Sequence, residues 1–239
     1  MSLANNHALD FGLNAYARTQ TVLSEHDVHP FGHPSVLNEG SVQFLNLQHM
    51  RVAIIGLHAI DHAPSASEVA TVMRYAAEQS ELQVLYVHWG TEYAAESNKT
   101  QRRIAEQFVE AGVDLIVGHH PHVVQEVGLI NDVPVFYSLG NYIFDQYFDD
   151  AVMEGLLLHL SVEDEGRVAI LPVESSSKLS QPRLMSPKAH AEFLEDLADR
   201  SDPLLAETIR HGFVPLSISV ATSTEIAMIN DTNQMLYVQ

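Results

Sequence analysis

Apolar and polar positions along the chain repeat in two ways, one typical of strands and the other of helices. Apolar runs at 51–57, 84–88 and 113–118 predict buried strands. Apolar residues spaced three or four positions apart predict amphipathic helices over 65–80, 98–111 and 188–199. A further helix is predicted over 13–25, because Leu13, Tyr16, Ala17 and Val22 have the same helical spacing.

Three pairs of strand-like segments are predicted to form antiparallel hairpins. They are 41–48 with 51–57, 123–130 with 133–140 across Asn131-Asp132, and 155–163 with 167–174 across residues 164–166. Strand and helix alternate before this β-rich half, so we expect an α/β fold built as a layered α/β/β/α sandwich. We place one domain at residues 1–220 and a C-terminal tail at 221–239.

Composition excludes several classes of protein. The chain has 31 acidic against 12 basic side chains and a formal charge of −19, which disfavours a nucleic-acid partner. It has no cysteine, so disulfides and thiolate metal sites are excluded. No apolar run is long enough to span a bilayer and no signal peptide precedes the first strand, so we expect a soluble chain as written.

Polar side chains gather where three of the predicted strands or apolar segments end. Asn6 and His7 follow the first apolar residues, His88 ends a strand, and three histidines lie within 119–122. Imidazole, amide and carboxylate groups suit Zn, Mn or Fe, and two such ions about 3.5–4 Å apart activate water toward a phosphate ester. The sequence therefore predicts a hydrolytic metal site. The isolated histidines are interpreted as structural: His58, His159 and His211.

Four segments, in this order, resemble one known family. They are SLANNHALDFG, VHWGTEY, GHHPHVVQ and PVFYSLGNYIFDQ. The chain resembles the bacterial capsule-synthesis family often called CapA or PgsA, the poly-γ-glutamate biosynthesis proteins, which looks like a branch of the calcineurin-like metallophosphoesterases. The resemblance runs from about residue 2 to 160 and, more weakly, to about 220. It implies a fold of metallophosphoesterase type.

The resemblance implies roles for residues in the first two segments. Asn6 would be a metal ligand and His7 would donate a proton to the leaving oxygen. His88 would be the next ligand. Asn5 completes the Asn-Asn-His motif, and Asp10 either orients a histidine or stabilises the turn that follows.

The later segments are expected to complete a site for two divalent ions, Mn, Fe or Zn. The family's Gly-His-x-His motif aligns in two ways here, because either His119 or His120 can pair with His122. Both alignments stay open. Four further residues match recurrent family positions, as contacts to substrate or as supports of a loop: Glu92, Asn141, Asp145 and Gln146.

One part of the family pattern does not occur in this chain. Relatives open with a strand that ends in Gly-Asp, whose Asp binds the first metal, and continue through an Asn-Leu-Glu segment. We therefore expect an N-terminally truncated chain that lacks its first strand and an anionic ligand, and that binds its ions weakly. A misplaced start codon, a split gene and a degenerate copy fit equally. The uncovered sheet edge would favour self-association.

Two functions follow from the resemblance. The first is a capsule or poly-γ-glutamate synthesis protein with a phosphoester hydrolase site that has two metal ions. The second is a non-catalytic accessory or scaffold protein of the polymer synthesis and export machinery. The expected partners are the capsule polymer or a phosphoester substrate, together with components of the membrane synthase. Relatives are often membrane-anchored or extracellular, so the location of this chain stays open.

Overall fold

The structure is a computed structural model that describes residues 1–47, 50–162, 166–175 and 181–217 and the backbone of 236–238. The helices are α1 (Gly12–Glu25), α2 (Ala66–Ala77), α3 (Lys99–Glu110), α4 (Pro187–Arg200) and α5 (Ala206–Arg210). The strands are β1 (Val42–Leu47), β2 (Met50–His58), β3 (Leu82–His88), β4 (Leu115–His119), β5 (Val127–Ile130), β6 (Val133–Phe136), β7 (Glu154–Ser161), β8 (Arg167–Ser175), β9 (Pro182–Leu184), β10 (Phe213–Pro215) and β11 (Leu236–Val238). Short 3-10 turns occupy Glu39–Ser41 and Asp150–Met153.

The larger sheet contains six strands in the order β1-β2-β3-β4-β6-β5. Strands β2, β3, β4 and β6 are parallel, whereas β1 and β5 pair antiparallel at the two edges. The predicted hairpins β1-β2 and β5-β6 are thereby confirmed. The turn of the second hairpin uses Asn131 and Asp132, both with positive φ, as a tight two-residue turn requires.

The second sheet is antiparallel, with the order β10-β8-β7-β11, and β9 also pairs with β8. The predicted β7-β8 hairpin is confirmed in its paired strands. Strand β9 is not among the strands predicted from the sequence, and it pairs with β8 over three residues. Most of the predicted tail lies outside the described residues, but residues 236–238 form β11 along β7.

The larger sheet is buried on both faces. Alternate residues of β2 face opposite sides: Val52 and Ile54 join the core between the sheets, and Ala53 and Ile55 join the core under α2 and α3. Burial on both faces explains why these strands read as continuous apolar runs. Helices α4 and α5 contribute apolar residues to the core between the sheets. The predicted α/β class with layered sheets is confirmed.

Local sequence determines where the helices begin and end. Asn98 caps α3 and exchanges hydrogen bonds with Gln101, and Gly112 takes φ 95° just after the helix. Helix α1 forms where predicted, but its apolar residues are not all covered: Tyr16 alone is buried in this fully described helix, and Leu13 is 70% exposed. Within the described residues, no helix has the length and apolar content needed to cross a membrane.

Candidate metal centre

Three neighbouring parallel strands end in histidine at the same register position. His58 of β2 is paired with His88 of β3, which is paired with His119 of β4. Because parallel strands present their carboxyl ends at one edge of the sheet, the three imidazoles lie side by side there. This is the edge where open α/β sheets place their ligand sites.

His88 contacts two other predicted site residues through its two ring nitrogens. Its Nε2 lies 2.8 Å from Asn6 Oδ1, and its Nδ1 lies 2.9 Å from His119 Nδ1. If neutral His88 donates from Nε2 to the Asn6 oxygen, its Nδ1 accepts from His119. In that tautomer His88 has no free lone pair, and the lone pair of His119 is on Nε2, which is buried and has no hydrogen-bond partner among the described residues. In the other tautomer His88 donates from Nδ1 to His119 Nδ1, and His88 Nε2 keeps the lone pair with which an imidazole binds a metal.

Burial keeps this pair of imidazoles neutral. Loss of hydration, followed by the neighbouring histidines, lowers the pKa of His88 far below its ordinary value. The same causes lower the pKa of His119 to about 3. Tyr86 stacks on His119 with ring centres 4.4 Å apart, and burial raises its pKa. Neutral imidazoles with available lone pairs are the form in which histidine binds metals.

A second group lies directly beside this pair. Glu92, His120 and His122 place ligand atoms within 4.8 Å of one another. His120 and His122 have φ of 104° and 63°, a region that residues other than glycine rarely adopt and that is concentrated at functional sites. The histidine triplet is thus divided: His119 turns to His88, and His120 joins His122 and Glu92.

Asn141 fixes the orientation of His122. Its amide nitrogen donates to the Val152 carbonyl at 3.0 Å and to Gln146 Oε1 at 3.2 Å, which leaves Oδ1 to accept from His122 Nδ1 at 2.9 Å. The lone pair of neutral His122 is therefore on Nε2. Gln146 continues the chain of hydrogen bonds to the Tyr93 hydroxyl at 2.9 Å, so this loop supports the centre from one side.

Asn6 and His7 belong to the N-terminal arm, defined here as residues 3–25. Asn5 Oδ1 accepts from the His7 backbone N–H at 3.0 Å, which forms the turn that carries the motif. His7 Nδ1 lies 2.9 Å from Asp10 Oδ2, and the His7 side chain is 70% exposed. Asp10 thus contacts His7 through its side chain, and its backbone N–H also donates to the His7 carbonyl in the turn at 3.2 Å.

A close backbone contact connects the start of the arm to the sheet. A Cβ on Gly32 would lie 2.8 Å from Ala4 Cβ, and a Cβ on Gly56 of β2 would lie 2.9 Å from Gly32 Cα. Leu3 also donates to the Phe31 carbonyl at 2.8 Å. Two glycines therefore allow three backbone segments to stack, which brings Asn6 to His88.

Buried residues pack against the end of β4 and form hydrogen bonds to the loop that carries Glu92. A Cβ on Gly118 would overlap the Tyr137 carbonyl and Trp89 Nε1, which hydrogen-bond each other at 2.8 Å.

Gln125 is buried, donates to the carbonyls of Ala94 and Glu96, and accepts from Gln101 at 2.9 Å. The loop that carries Glu92 is therefore attached to the core through side-chain amides.

The residues present fit a divalent metal. Two imidazoles on one ion, at metal–nitrogen distances of about 2.0–2.1 Å, have ring centres roughly 4.5–6 Å apart. The ring centres of His88 lie 4.6 Å from those of His119 and His120, and His120 and His122 are 5.9 Å apart. Glu92 supplies the carboxylate, and the buried Nε2 of His119 is without a partner among the described residues.

Sequence reasoning missed part of this arrangement. It treated Glu92 as a contact or support, whereas the structure places the carboxylate among ligand atoms. It interpreted His58 as structural, although His58 shares the register of His88. The sequence contained a signal for this position, because His58 and His88 both come at the end of an apolar run.

Asp145 is exposed in the loop between Asn141 and Gln146. No described hydrogen bond or ring contact links His7 to His88 or His122.

A layered α/β scaffold with imidazoles, an amide and a carboxylate at its strand ends defines a protein with a candidate metal centre. Residues 1–146 match the family model described as bacterial capsule synthesis protein PGA_cap. That match covers more than half of the chain, and the chain belongs to this family.

Individual proteins show the same relationship. The chain is 28% identical over 193 residues to the PGA biosynthesis protein CapA of Bacillus subtilis (strain 168), covering 73% of this chain and 50% of that protein. It is 23% identical over 197 residues to a probable polyglutamine synthesis accessory protein of Mycobacterium tuberculosis, covering 72% and 50%. The chain thus spans about half the length of these relatives.

Among solved structures, a hypothetical protein from Thermus thermophilus is similar with a TM-score of 0.44 and 10% identity. The likeness covers 76% of this chain and 72% of that one.

Proposed function

We propose that this chain carries the metal-binding part of a phosphoester hydrolase of metallophosphoesterase type that acts in synthesis of a poly-γ-glutamate type capsule. The observation that carries the proposal is the convergence of two groups at one sheet edge. Asn6, His88 and His119 form one group, and Glu92, His120 and His122 form the other. Both groups present nitrogen and oxygen ligands without thiolates, which suits Zn, Mn or Fe.

Each side chain has a distinct part in the proposed reaction. His88, His120 and His122 hold the ions, and the Glu92 carboxylate offsets their charge. Bound ions would supply Lewis-acid activation of the ester and of water. His7 donates a proton to the departing oxygen; Asp10 Oδ2 lies 2.9 Å from its Nδ1, which leaves Nε2 for the proton transfer. Asn141 keeps His122 in the tautomer that presents Nε2.

The test measures metal binding and hydrolysis separately. The full chain is freed of metal with a chelator, titrated with Mn, Zn or Co, and assayed on chromogenic phosphate mono- and diesters. We expect close to two equivalents of metal and turnover that depends on it. His88→Ala should lower metal affinity by at least roughly tenfold and abolish hydrolysis. His211→Ala is the matched control, because among the described residues its imidazole hydrogen-bonds to the exposed Glu207.

The results have separate consequences. A wild-type chain that binds no divalent ion, with its fold intact by circular dichroism, overturns the proposal. Metal binding without hydrolysis of any ester overturns the catalytic part. It would favour the second function, a non-catalytic accessory role in polymer synthesis. That second function has one independent support, because the Mycobacterium tuberculosis relative is described as an accessory protein.

A further inference from the structure

His58 occupies the third position in the row of strand-end histidines. It is the last residue of β2 and pairs in parallel register with His88. The two ring centres lie 5.7 Å apart. This separation falls in the range of roughly 4.5–6 Å that two imidazoles on one ion show. His58 is therefore close enough to His88 to share a cation with it.

Hydrogen bonding determines which nitrogen of His58 is available. Its Nδ1 lies 2.6 Å from the carbonyl oxygen of Pro34. A carbonyl only accepts, so Nδ1 carries the proton and donates it. The Nε2 atom then carries the lone pair of the neutral ring. This atom is buried and has no hydrogen-bond partner among the described residues.

This arrangement is the one that metal-binding histidines usually show. Such histidines donate one ring N–H to a backbone carbonyl or a carboxylate and turn the other nitrogen to the ion. His122 has the same arrangement, with its Nδ1 held by Asn141. A buried polar atom requires a partner, and a divalent cation is a partner that suits an imidazole lone pair. A cavity of about 180 Å³ lies beside His58 and is also lined by His33, Asp61 and His62.

We propose that His58 Nε2 is an additional protein ligand of a divalent cation that His88 also binds. The inference rests on the proposed metal centre and extends it by one residue and one strand. The added imidazole lies on the β2 side of His88, whereas His119 and His120 lie on the β4 side. A further neutral nitrogen would raise the affinity for the ion without adding charge to the site.

Two substitutions separate a ligand from a structural hydrogen bond. His58→Asn places an amide N–H where Nδ1 donates to Pro34, but removes Nε2. His58→Gln reaches the position of Nε2 with an amide oxygen, but loses the bond to Pro34. If His58 is a ligand, His58→Asn should weaken zinc or cobalt binding by at least roughly tenfold and change the visible absorption of the cobalt form. His58→Gln should keep part of the affinity.

The matched control is His26→Asn. His26 also donates Nδ1 to a backbone carbonyl, that of Val22 at 2.9 Å, but it is exposed at the end of α1. This variant should bind metal like the wild type. A nitrogen NMR titration of the wild-type chain with zinc gives a second readout, because a ligand should show a large shift at His58 Nε2. That readout decides the question even if His58→Asn does not fold.

The outcomes keep the two proposals distinct. If the wild type binds zinc and His58→Asn binds it equally, or if the Nε2 resonance does not move, the His58 inference is overturned and the proposed function stands. If the wild type binds no metal, both are overturned. Weaker binding in His58→Asn with partial retention in His58→Gln supports the inference.

Discussion

The strand-end histidines and the N-terminal arm contribute to the same candidate site but are built differently. His88 and His119 end strands that are buried on both faces, and core groups support them from below. The arm is tightly packed only at its start, and beyond it Tyr16 is the buried residue of α1. The difference indicates that the proposed metal ligands are positioned by the folding of the core, whereas the proposed proton donor, His7, lies on an exposed segment. Substitutions near the strand ends should therefore lower the free energy of unfolding, whereas substitutions in the exposed arm should change activity with little effect on stability.

The largest loss of stability is expected for Gly118→Ala. The new methyl group would overlap the Tyr137 carbonyl and Trp89 Nε1 inside the core, so the free energy of unfolding should fall by about 3 kcal/mol or more. Urea denaturation followed by tryptophan fluorescence measures it. Gly112→Ala is the control: it has φ 95° and open space around it, so only backbone strain of about 1 kcal/mol is expected. Equal losses of unfolding free energy in the two variants would contradict the tight packing around Gly118 in β4.

Mild acid should lower the stability of the fold through the strand-end histidines, at a higher pH than that at which the carboxylates become protonated. His88 and His119 have lowered pKa values in the folded state, so the unfolded chain binds more protons below pH 6.5. Stability is full above that value and falls as pH drops. Between pH 7 and 5.5 we expect a loss of about 2–3 kcal/mol in chelator. Denaturant titrations at several pH values measure this loss.

Removing one of the buried histidines tests whether these side chains cause the pH dependence of stability. In His119→Gln the pH dependence of unfolding over the same interval should become smaller, because one imidazole fewer gains a proton when the chain unfolds. A pH dependence unchanged from the wild type would show that His119 is not buried as a neutral ring.

An intermediate effect is expected for Gln125→Leu. This change leaves the carbonyls of Ala94 and Glu96 and the amide of Gln101 without partners, which should cost about 2 kcal/mol. Metal affinity should fall as well, because the loop that carries Glu92 loses its attachment. Calorimetric metal titration and denaturation measure both effects. Gln107→Leu, on the partly exposed side of α3, should change stability by less than about 0.5 kcal/mol.

The smallest effect on stability is expected for His7→Ala. Its side chain is exposed and contacts Asp10, so unfolding should change by less than about 0.5 kcal/mol. Under the proposed reaction, kcat should nevertheless fall by roughly 10²–10⁴-fold with metal binding unchanged. Asp10→Asn should lower kcat less, because the imidazole remains. A large loss of stability in His7→Ala would contradict the difference drawn here between the buried strand ends and the exposed N-terminal arm.

Local sequence predicted those features of the fold that depend on local chemistry. Asn131-Asp132 specifies a tight turn, and Gly112 specifies a helix end, so the β5-β6 hairpin and the end of α3 could be placed. Strand β9 could not, because its three residues carry no periodicity and form a strand only by pairing with β8. Helix α1 was found by its spacing, but spacing does not tell whether another element covers the face that includes Leu13.

The site was predicted as a set of residues but not as an arrangement. Asn6, His88 and the histidine triplet were identified by their positions after apolar segments and by the family pattern. Which of His119 and His120 joins His122 depends on the positive φ of His120, which spacing does not reveal. The position of Glu92 depends on Gln125, which is distant from it in the sequence. Such contacts arise only when the chain folds.

The stacked backbones of Ala4, Gly32 and Gly56 have a consequence for how this protein can change. Their separation is set by main-chain thickness, so repacking of neighbouring side chains cannot alter the reach of Asn6 to His88. One added carbon at either glycine would push the motif away from the sheet. The junction therefore tolerates variation all around it and almost none within it.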